Sequence, residues 1–551
     1  MRKIIRNTRF AIAGTLTLAC SLPTYAGAVQ DALQDGPLGL HTSEGLKLTT
    51  GKCADCATVP QALWYFKDEL LAAPVRNANS AGYSAGLEAQ ADVAAAVAGK
   101  PGQNIQAPLI WLGSSKVIAR TRLTADGKAL QLDNGQTAAF AITPKLATNR
   151  SYYNADSQAY LAQRPLRMRG ELQANGNGQA QFVARTIWPL DFSIRPDSTV
   201  QALNADESLH SLVKANNGGA REAYSSRLLW AKDPDAPRNW NGKAVLGIML
   251  NGAQGDDDEA HGGHFAIATG RFRDDGDWSR WMVYNFYNLG SYSEKGIIAA
   301  PTPMDKYLLD LNNGQSWYRP SYMLVAVLKD DRTALQYQAG VERVYNHFYR
   351  HDFDYNHSAA NCAGVSVDTL RTLGWQVPQR GHEPWLKAIG AYAYVAATSK
   401  SLADGRKIYD YLLEEKTRLY PAVSFDALGE DLLRIAAGNA KRPLSDYEKA
   451  LADDVEAIYY VHIPQIPSSR AFGLAPVYSF DEYLKQAPAD RSQWQIVPVE
   501  PRPFPVELRD GLALAQHQPA LVPPPVIAVI AGVLALITGI VLFIRRRFKT
   551  A

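Results

Sequence analysis

The chain has 551 residues and a formal net charge of only +3, from 57 basic and 54 acidic side chains. This near balance argues against a nucleic-acid-binding protein, which would carry a strongly basic domain or patch. The length is enough for two or three domains with cores of their own, even after both termini are set aside.

Residues 1–28 have the pattern of a secretory signal peptide. Basic residues precede an apolar run from Ala11 to Leu22, and Ala26-Gly27-Ala28 has the small-residue pattern after which signal peptidase cuts. The run is too short to span a hydrocarbon core about 30 Å thick. We therefore predict export with removal of residues 1–28, and the alternative is a lipoprotein signal that ends at Cys20.

Residues 29–205 predict a β-rich N-terminal domain that contains no catalytic constellation. A helical stretch is expected at 59–72. Asp126-Gly127 and Asn134-Gly135 favour tight hairpins between the strands that flank them. The predicted strands cover 109–112, 116–123, 129–132 and 138–142, and a further hairpin covers 166–188.

Residues 206–375 predict an α+β domain, because a set of strands is followed by helices. The strands are expected at 244–250, 264–272, 281–287 and 322–329. The helices are expected at 333–349 and from Cys362 to Gly374, where glycine suits a helix C-terminus.

The C-terminal part predicts a helical region, a spacer and a membrane anchor. Residues 376–495 show helical patterns at 384–396, 405–415 and 445–459, and the proline-rich segment 496–525 is typical of an extended linker. The uncharged run 526–544 just spans a bilayer, and the basic tail 545–551 belongs on the cytoplasmic side. We expect a single-pass protein of the inner membrane with its body outside the cytosol. A cleaved C-terminal sorting signal is the alternative.

Three cysteines remain after the signal: Cys53, Cys56 and Cys362. The close pair Cys53 and Cys56 is the natural disulfide in an oxidising compartment, which leaves Cys362 as a candidate reactive thiol. A redox role for the close pair is the weaker alternative.

Cys362 enters a helix within Asn361-Cys362-Ala363-Gly364, where backbone N–H groups and the helix dipole would lower the pKa of its thiol. The alternative is an ordinary buried cysteine. His264 opens a strand that would fix its imidazole as the general base, with His261 as competitor. Asn285 on the next strand could orient that ring, and Asn288 is its competitor, since an odd separation puts only one of the two on the required face.

The order of histidine on a strand, polar residue on the next strand and cysteine at a helix start resembles the circularly permuted papain-like fold. That group includes lecithin:retinol acyltransferase-like enzymes and NlpC-type cell-wall peptidases. Gly263-His264-Phe265, Tyr287-Asn288-Leu289-Gly290 and Asn361-Cys362 are similar, more narrowly, to the bacterial Lnb N-terminal periplasmic domain family. The resemblance covers about a third of the chain, and it implies Cys362 as nucleophile and His264 as base.

The sequence thus predicts a membrane-anchored cysteine hydrolase or acyltransferase of the cell envelope that uses Cys362, His264 and Asn285. Peptidoglycan stem peptides are the first substrate candidate, and no cofactor, metal or nucleic acid is expected. An envelope scaffold with a degenerate papain-like domain is the alternative. Two sets of residues have a weaker metal-binding pattern and are not expected to hold a metal: Asp256-Asp257-Asp258-Glu259 with the neighbouring histidines, and His347, His351 and His357.

Overall fold

The computed structural model of the chain describes residues 25–549 with internal gaps. The residues left out within this span are 57, 76–92, 95–108, 219–221, 255–260, 290–295, 352–354, 359, 469–472, 498–501 and 510–519. Most of the expected signal peptide and the acidic segment 256–259 therefore lie outside the described residues.

The N-terminal part forms a closed β-barrel. Its strands are β1 (Val29–Asp31), β5 (Lys116–Leu123), β6 (Ala129–Leu132), β7 (Thr137–Ile142), β8 (Leu166–Ala174) and β9 (Ala180–Pro189), in the sheet order β1-β5-β6-β7-β9-β8. An additional antiparallel pairing between β5 and β8 closes the sheet, and β7 runs parallel to β9. Helix α2 (Ala155–Ala162) connects β7 to β8. The closed ring β5-β6-β7-β9-β8 has the connectivity of an OB-type barrel. Closure leaves these five strands without a free sheet edge.

A small three-stranded sheet joins the barrel to the rest of the chain. It consists of β2 (Leu46–Thr50), β3 (Leu70–Pro74) and β4 (Ile110–Trp111), with helix α1 (Pro60–Phe66) between the first two strands. The helix predicted for 59–72 is therefore correct only in its first half, because the apolar residues from Leu70 onward pair as a strand.

The central domain is built on a seven-stranded sheet that is antiparallel throughout, in the order β10-β16-β15-β11-β12-β13-β14. The strands are β10 (Ser225–Ala231), β11 (Ala244–Asn251), β12 (His264–Arg271), β13 (Met282–Tyr284), β14 (Pro301–Pro303), β15 (Ser321–Leu328) and β16 (Val455–Ile463). The strands predicted at 244–250, 264–272 and 322–329 match β11, β12 and β15 within one residue at each end.

Both faces of this sheet are covered, which explains why its central strands are apolar along their whole length. Along β12, Phe265 and Ile267 face one core, whereas Ala266 and Ala268 face the other. The first core is completed by helices α5 (Arg332–Tyr349), α6 (Cys362–Leu373) and α10 (Pro421–Ala436), and the second by the barrel. The sheet is thus sandwiched between a helical layer and the N-terminal domain.

The remaining helices are shorter or lie at the periphery. They are α3 (Leu209–Gly218), α4 (Met304–Leu309), α7 (Trp385–Ser399), α8 (Leu402–Leu413), α9 (Lys416–Leu419), α11 (Asp446–Asp454), α12 (Phe480–Gln486) and α13 (Pro524–Lys549). Helix α13 is long and apolar enough to cross a membrane, over Pro524–Arg546, and its apolar surface is uncovered.

The prediction of a helix over 445–459 is wrong in its second half. Helix α11 ends at Asp454, and the apolar run that follows it becomes β16. Because β16 lies between β15 and β10, it is an interior strand of the central sheet. The expected helical region 376–495 is accordingly not separate from the domain that precedes it.

Candidate active site

Asn361 fixes the start of helix α6 and so the position of Cys362. Its side-chain oxygen accepts hydrogen bonds from the backbone N–H groups of Ala363 and Gly364, at 3.0 and 2.9 Å. Its amide nitrogen donates to the carbonyl of Leu419 at 2.8 Å. Asparagine is among the preferred N-cap residues because it satisfies N–H groups that have no partner within the helix. The cap therefore holds the thiol at a defined place.

The sulfur of Cys362 lies where β13 leaves the central sheet. Strand β13 ends at Tyr284, which is opposite Ile267, so it does not reach Phe265 on β12. The backbone N–H of Phe265 instead donates a hydrogen bond to the sulfur. The phenol of Tyr355 is a further donor to the sulfur, and the backbone N–H of Ala363, whose acceptor is Asn361, lies close enough to lower the pKa of the thiol.

The thiol of Cys362 is 4% exposed, and burial raises its pKa above the ordinary value. The hydrogen bonds from Phe265 and Tyr355, the nearby N–H of Ala363 and the charge of Arg319 all oppose this effect without overcoming it. The expectation of a lowered pKa is therefore wrong for the resting protein. The free energy that a thiolate loses when it is removed from water is larger than the free energy that it gains from the helix start and these donors.

His264 is 2% exposed, and its ring is stacked on Tyr287 at a centroid distance of 4.2 Å. The Tyr287 hydroxyl in turn accepts a hydrogen bond from Gln315 at 2.8 Å. Burial and the charge of Arg319 hold the pKa of His264 well below its ordinary value. The imidazole is consequently neutral at neutral pH, and its Nε2 is buried without a hydrogen-bond partner among the described residues.

Arg319 carries a buried positive charge next to both groups. It is 2% exposed and donates to the carbonyl of Gly252 at 3.2 Å, while its Nε atom is buried and finds no acceptor in the described parts of the chain. Within the described part of the chain no carboxylate pairs with it. Its charge acts on the pKa of His264, Cys362 and Tyr307 alike. A buried guanidinium without a counter-ion is costly unless something anionic binds or forms beside it.

The structure places His264 and Cys362 in the same site but does not link the imidazole to the thiol. The N–H that reaches the sulfur belongs to Phe265, the residue directly after His264. No hydrogen bond links the imidazole to the thiol in the described residues. Catalytic hydrogen bonds are often long or poorly aligned before substrate binds.

Asn285 does not hold the ring of His264. Its amide nitrogen donates to the carbonyl of Ala300 at 2.7 Å, and its side-chain oxygen is buried without a partner in the described structure. Asn288 is exposed. The expected asparagine-to-imidazole hydrogen bond is thus not formed, and the ring of Tyr287 lies against the imidazole instead.

The competing features of the sequence lie elsewhere. The ring of His261 packs edge-on against Tyr483 at 5.9 Å, and its backbone carbonyl accepts from Val477. Cys53 and Cys56 form the expected disulfide. Among the described residues, His347, His351 and His357 do not converge as metal ligands.

Arg319, Tyr307, Tyr355 and Tyr287 are the site residues that sequence reasoning missed in these roles. Tyr307 donates to Asn251, the residue opposite His264 on β11, and Asn251 also donates to Ser321 at 2.7 Å. Tyr287 stands in a segment singled out for its resemblance, but the other three occur in no distinctive pattern. Only the fold assembles them.

Comparison with known proteins identifies no relative of this chain. No family model, no curated protein and no solved structure matches it.

Proposed function

We propose that the chain is a membrane-anchored cysteine hydrolase or acyltransferase of the cell envelope, and that its central domain is a circularly permuted papain-like domain. One observation carries the proposal. A capped helix start presents Cys362 to the backbone of the residue that follows His264, beside the charge of Arg319, which has no carboxylate partner among the described residues.

In this mechanism the thiol and the imidazole are both neutral before the reaction. His264 accepts the thiol proton as the sulfur attacks the substrate carbonyl, and the C=O electron pair moves onto the oxygen. The low pKa of His264 keeps the ring unprotonated below neutral pH, so that it can accept a proton there, although it also makes the ring a weaker base. Tyr287 is the positioning residue, since it stacks on the ring.

The negative charge on the substrate oxygen needs donors fixed in advance. The N–H groups of Ala363 and Gly364 already donate to Asn361, and the N–H of Cys362 donates to the phenol of Tyr355 before substrate binds. We therefore assign the oxyanion to the guanidinium of Arg319, with the N–H of Cys362 as a second donor once the substrate oxygen replaces that phenol. Loss of one such donor typically costs about 3 kcal/mol of transition-state stabilisation.

Collapse of the tetrahedral intermediate expels the leaving group, which takes the proton from His264, and leaves a thioester on Cys362. Attack by water completes a hydrolysis, and attack by another nucleophile completes an acyl transfer. His264 removes the proton of the attacking group in either case. Hydrolysis and acyl transfer differ only in the nucleophile that attacks the thioester.

The placement of the body outside the cytosol rests on the basic residues that follow the apolar part of α13. Arg545, Arg546 and Arg547 favour a cytoplasmic C-terminus. Envelope amides and esters are then the accessible substrates, and peptidoglycan stem peptides are the first to test.

The test uses the detergent-solubilised full chain with a panel of envelope-type peptides and small esters. We expect the wild-type protein to release product, Cys362→Ala to release none, and the double variant Cys53→Ser/Cys56→Ser to release product as the wild type does. The double variant is the matched control because it also removes sulfur atoms but leaves the site intact. Turnover that survives Cys362→Ala overturns the proposal.

A non-catalytic envelope scaffold is the second candidate, and two observations favour it. The thiol has a raised pKa, and no hydrogen bond joins it to the imidazole. Binding partners recovered equally with wild type and Cys362→Ala, together with no turnover on the panel, would select the scaffold.

A further inference from the structure

Helix α7 exposes an uncharged apolar stripe. Residues 388–399 contain no charged side chain, and the exposed fractions of Trp385, Leu386 and Tyr394 are 53%, 64% and 70%. Leu386, Gly390, Ala393, Tyr394 and Ala397 are all exposed at helical spacing. A helix that faced only water would carry charged or polar residues along this side.

The opposite side of α7 forms a small core with α8. Ala388, Ile389 and Tyr392 pack against Tyr409 and Leu412 of α8. The two helices thus make a helical hairpin whose outer apolar stripe is not needed for its own packing.

The start of helix α13 is part of this same core. Val526, the first residue of the apolar run, is 2% exposed and buried in the hairpin. The hydroxyl of Tyr392 donates to the carbonyl of Leu521 at 3.2 Å, and Arg406 donates to the carbonyl of Ala520 at 2.6 Å. From Ile527 to Ile544 the large apolar side chains of α13 are uncovered. The hairpin therefore contacts the chain directly before the part of α13 that would enter a bilayer.

We propose that the exposed stripe of α7 lies in the headgroup and upper acyl region of the phospholipid bilayer that α13 enters. The continuity of the stripe with the anchor identifies the occupant, because a surface fixed at the start of a membrane-spanning helix meets lipid first. Leucine and tyrosine, as at Leu386 and Tyr394 of the stripe, and tryptophan, as at Trp385 at the start of the helix, favour such an interfacial position.

The hairpin of α7 and α8 is connected to the candidate site at both of its ends. The hairpin lies between α6, which begins with Cys362, and α9, whose Leu419 carbonyl holds the Asn361 cap. Arg371 of α6 pairs with Glu415, the N-cap of α9, at 2.7 Å. Arg418 of α9 pairs with Asp368 of α6 at 2.8 Å. The candidate site is therefore tied to both ends of the membrane-facing hairpin through these ion pairs and the Asn361 cap.

The test places a nitroxide spin label at one introduced cysteine at a time in the full-length Cys362→Ala protein, with one copy per phospholipid nanodisc. The positions are 394 in the stripe, 537 within α13 and 134 in an exposed barrel turn. Collision rates with oxygen, which concentrates in lipid, and with a water-soluble nickel chelate report the surroundings of each label. The variant without an introduced cysteine gives the background.

We expect labels at 394 and 537 to favour oxygen and the label at 134 to favour the nickel chelate. A label at 394 that behaves like the one at 134, while 537 is in lipid, overturns the proposal. A label at 537 open to the nickel chelate also overturns it, because α13 would then not enter the bilayer. Protection of 394 that appears only with two copies per disc, with spin–spin broadening, would assign the stripe to a second copy instead. None of these readouts depends on catalysis.

Discussion

The backbone N–H of Phe265 donates a hydrogen bond to the sulfur of Cys362, and this contact ties the helix that begins with the cysteine to the strand that begins with His264. It exists because β13 stops at Tyr284 and leaves the edge of β12 open at Phe265. The gap in the sheet is thus the structural origin of the candidate site.

The charge of Arg319 should set the acid limb of any activity. Arg319→Met removes a positive charge that lowers the pKa of both His264 and Cys362, so both pKa values should rise. A higher histidine pKa means that the base is protonated, and the rate lost, at a higher pH. The pH dependence of Cys362 acylation by a small ester measures this shift. Arg319→Lys, which keeps the charge, should leave the acid limb near its wild-type position, and an unmoved limb in Arg319→Met would refute the assignment.

The Asn361 cap should matter for both stability and chemistry. Asn361→Ala leaves the N–H groups of Ala363 and Gly364 without their acceptor, and loss of an N-cap typically costs about 1 kcal/mol. The helix start should then fray and the thiol should lose its fixed position. The thermal unfolding temperature and the rate of Cys362 acylation should both fall. Asn361→Asp should retain most of the stability, because its carboxylate keeps the accepting oxygens.

Tyr25 gives a direct test of the expected signal cleavage. It is buried against the barrel, where its hydroxyl donates to Ala139 and accepts from the N–H of Phe182 at 3.0 Å. This hydroxyl connects the parallel pair β7 and β9, so we predict that the mature protein retains Tyr25 and is not cut after Ala28. Intact-mass measurement of the membrane-isolated protein decides the point. A mature chain that begins at Val29 would favour the cleavage inferred from the sequence.

Asp426 in α10 should make the fold less stable as pH rises. Burial and the charge of Glu430 raise its pKa to about 7, against the opposing charges of Arg380 and Lys214. The folded state therefore holds a proton that the unfolded state has lost between its ordinary pKa and about 7, and stability falls across that window. Asp426→Asn should raise the unfolding temperature at pH 8 by a few degrees and leave it unchanged near pH 4. An equal effect at both pH values would exclude titration of this carboxyl as the cause.

The sequence was sufficient for elements with strong local signals. Asp126-Gly127 and Asn134-Gly135 fixed the hairpins around β6, and Gly374 has the positive φ of 109° that its place after α6 predicts. The run after Asp454 was misassigned because an apolar segment of that length fits a helix or an interior strand equally well. Only its pairing with β15 and β10 decides between them.

The sequence pointed to Cys362 and His264 as candidate residues but not to the residues that surround them. Cysteine at a helix start and histidine at a strand start are local patterns, whereas Arg319 comes to the site from the loop before β15. Asn285 was expected to face the imidazole on the assumption of a regular strand. That assumption fails because β13 ends at Tyr284, one residue earlier. The pKa of the thiol could not be foreseen either, since it depends on burial by the whole fold.

In the proposed mechanism the imidazole of His264 takes the proton from the sulfur of Cys362. The most direct measurement is the rate at which an acylating ester forms a thioester on Cys362 of the full chain, followed by mass spectrometry at neutral pH. We predict that His264→Ala lowers this rate at least 100-fold, in line with the loss of a general base, and that His261→Ala, the matched control, changes it little. Equal rates in wild type and His264→Ala would contradict the account.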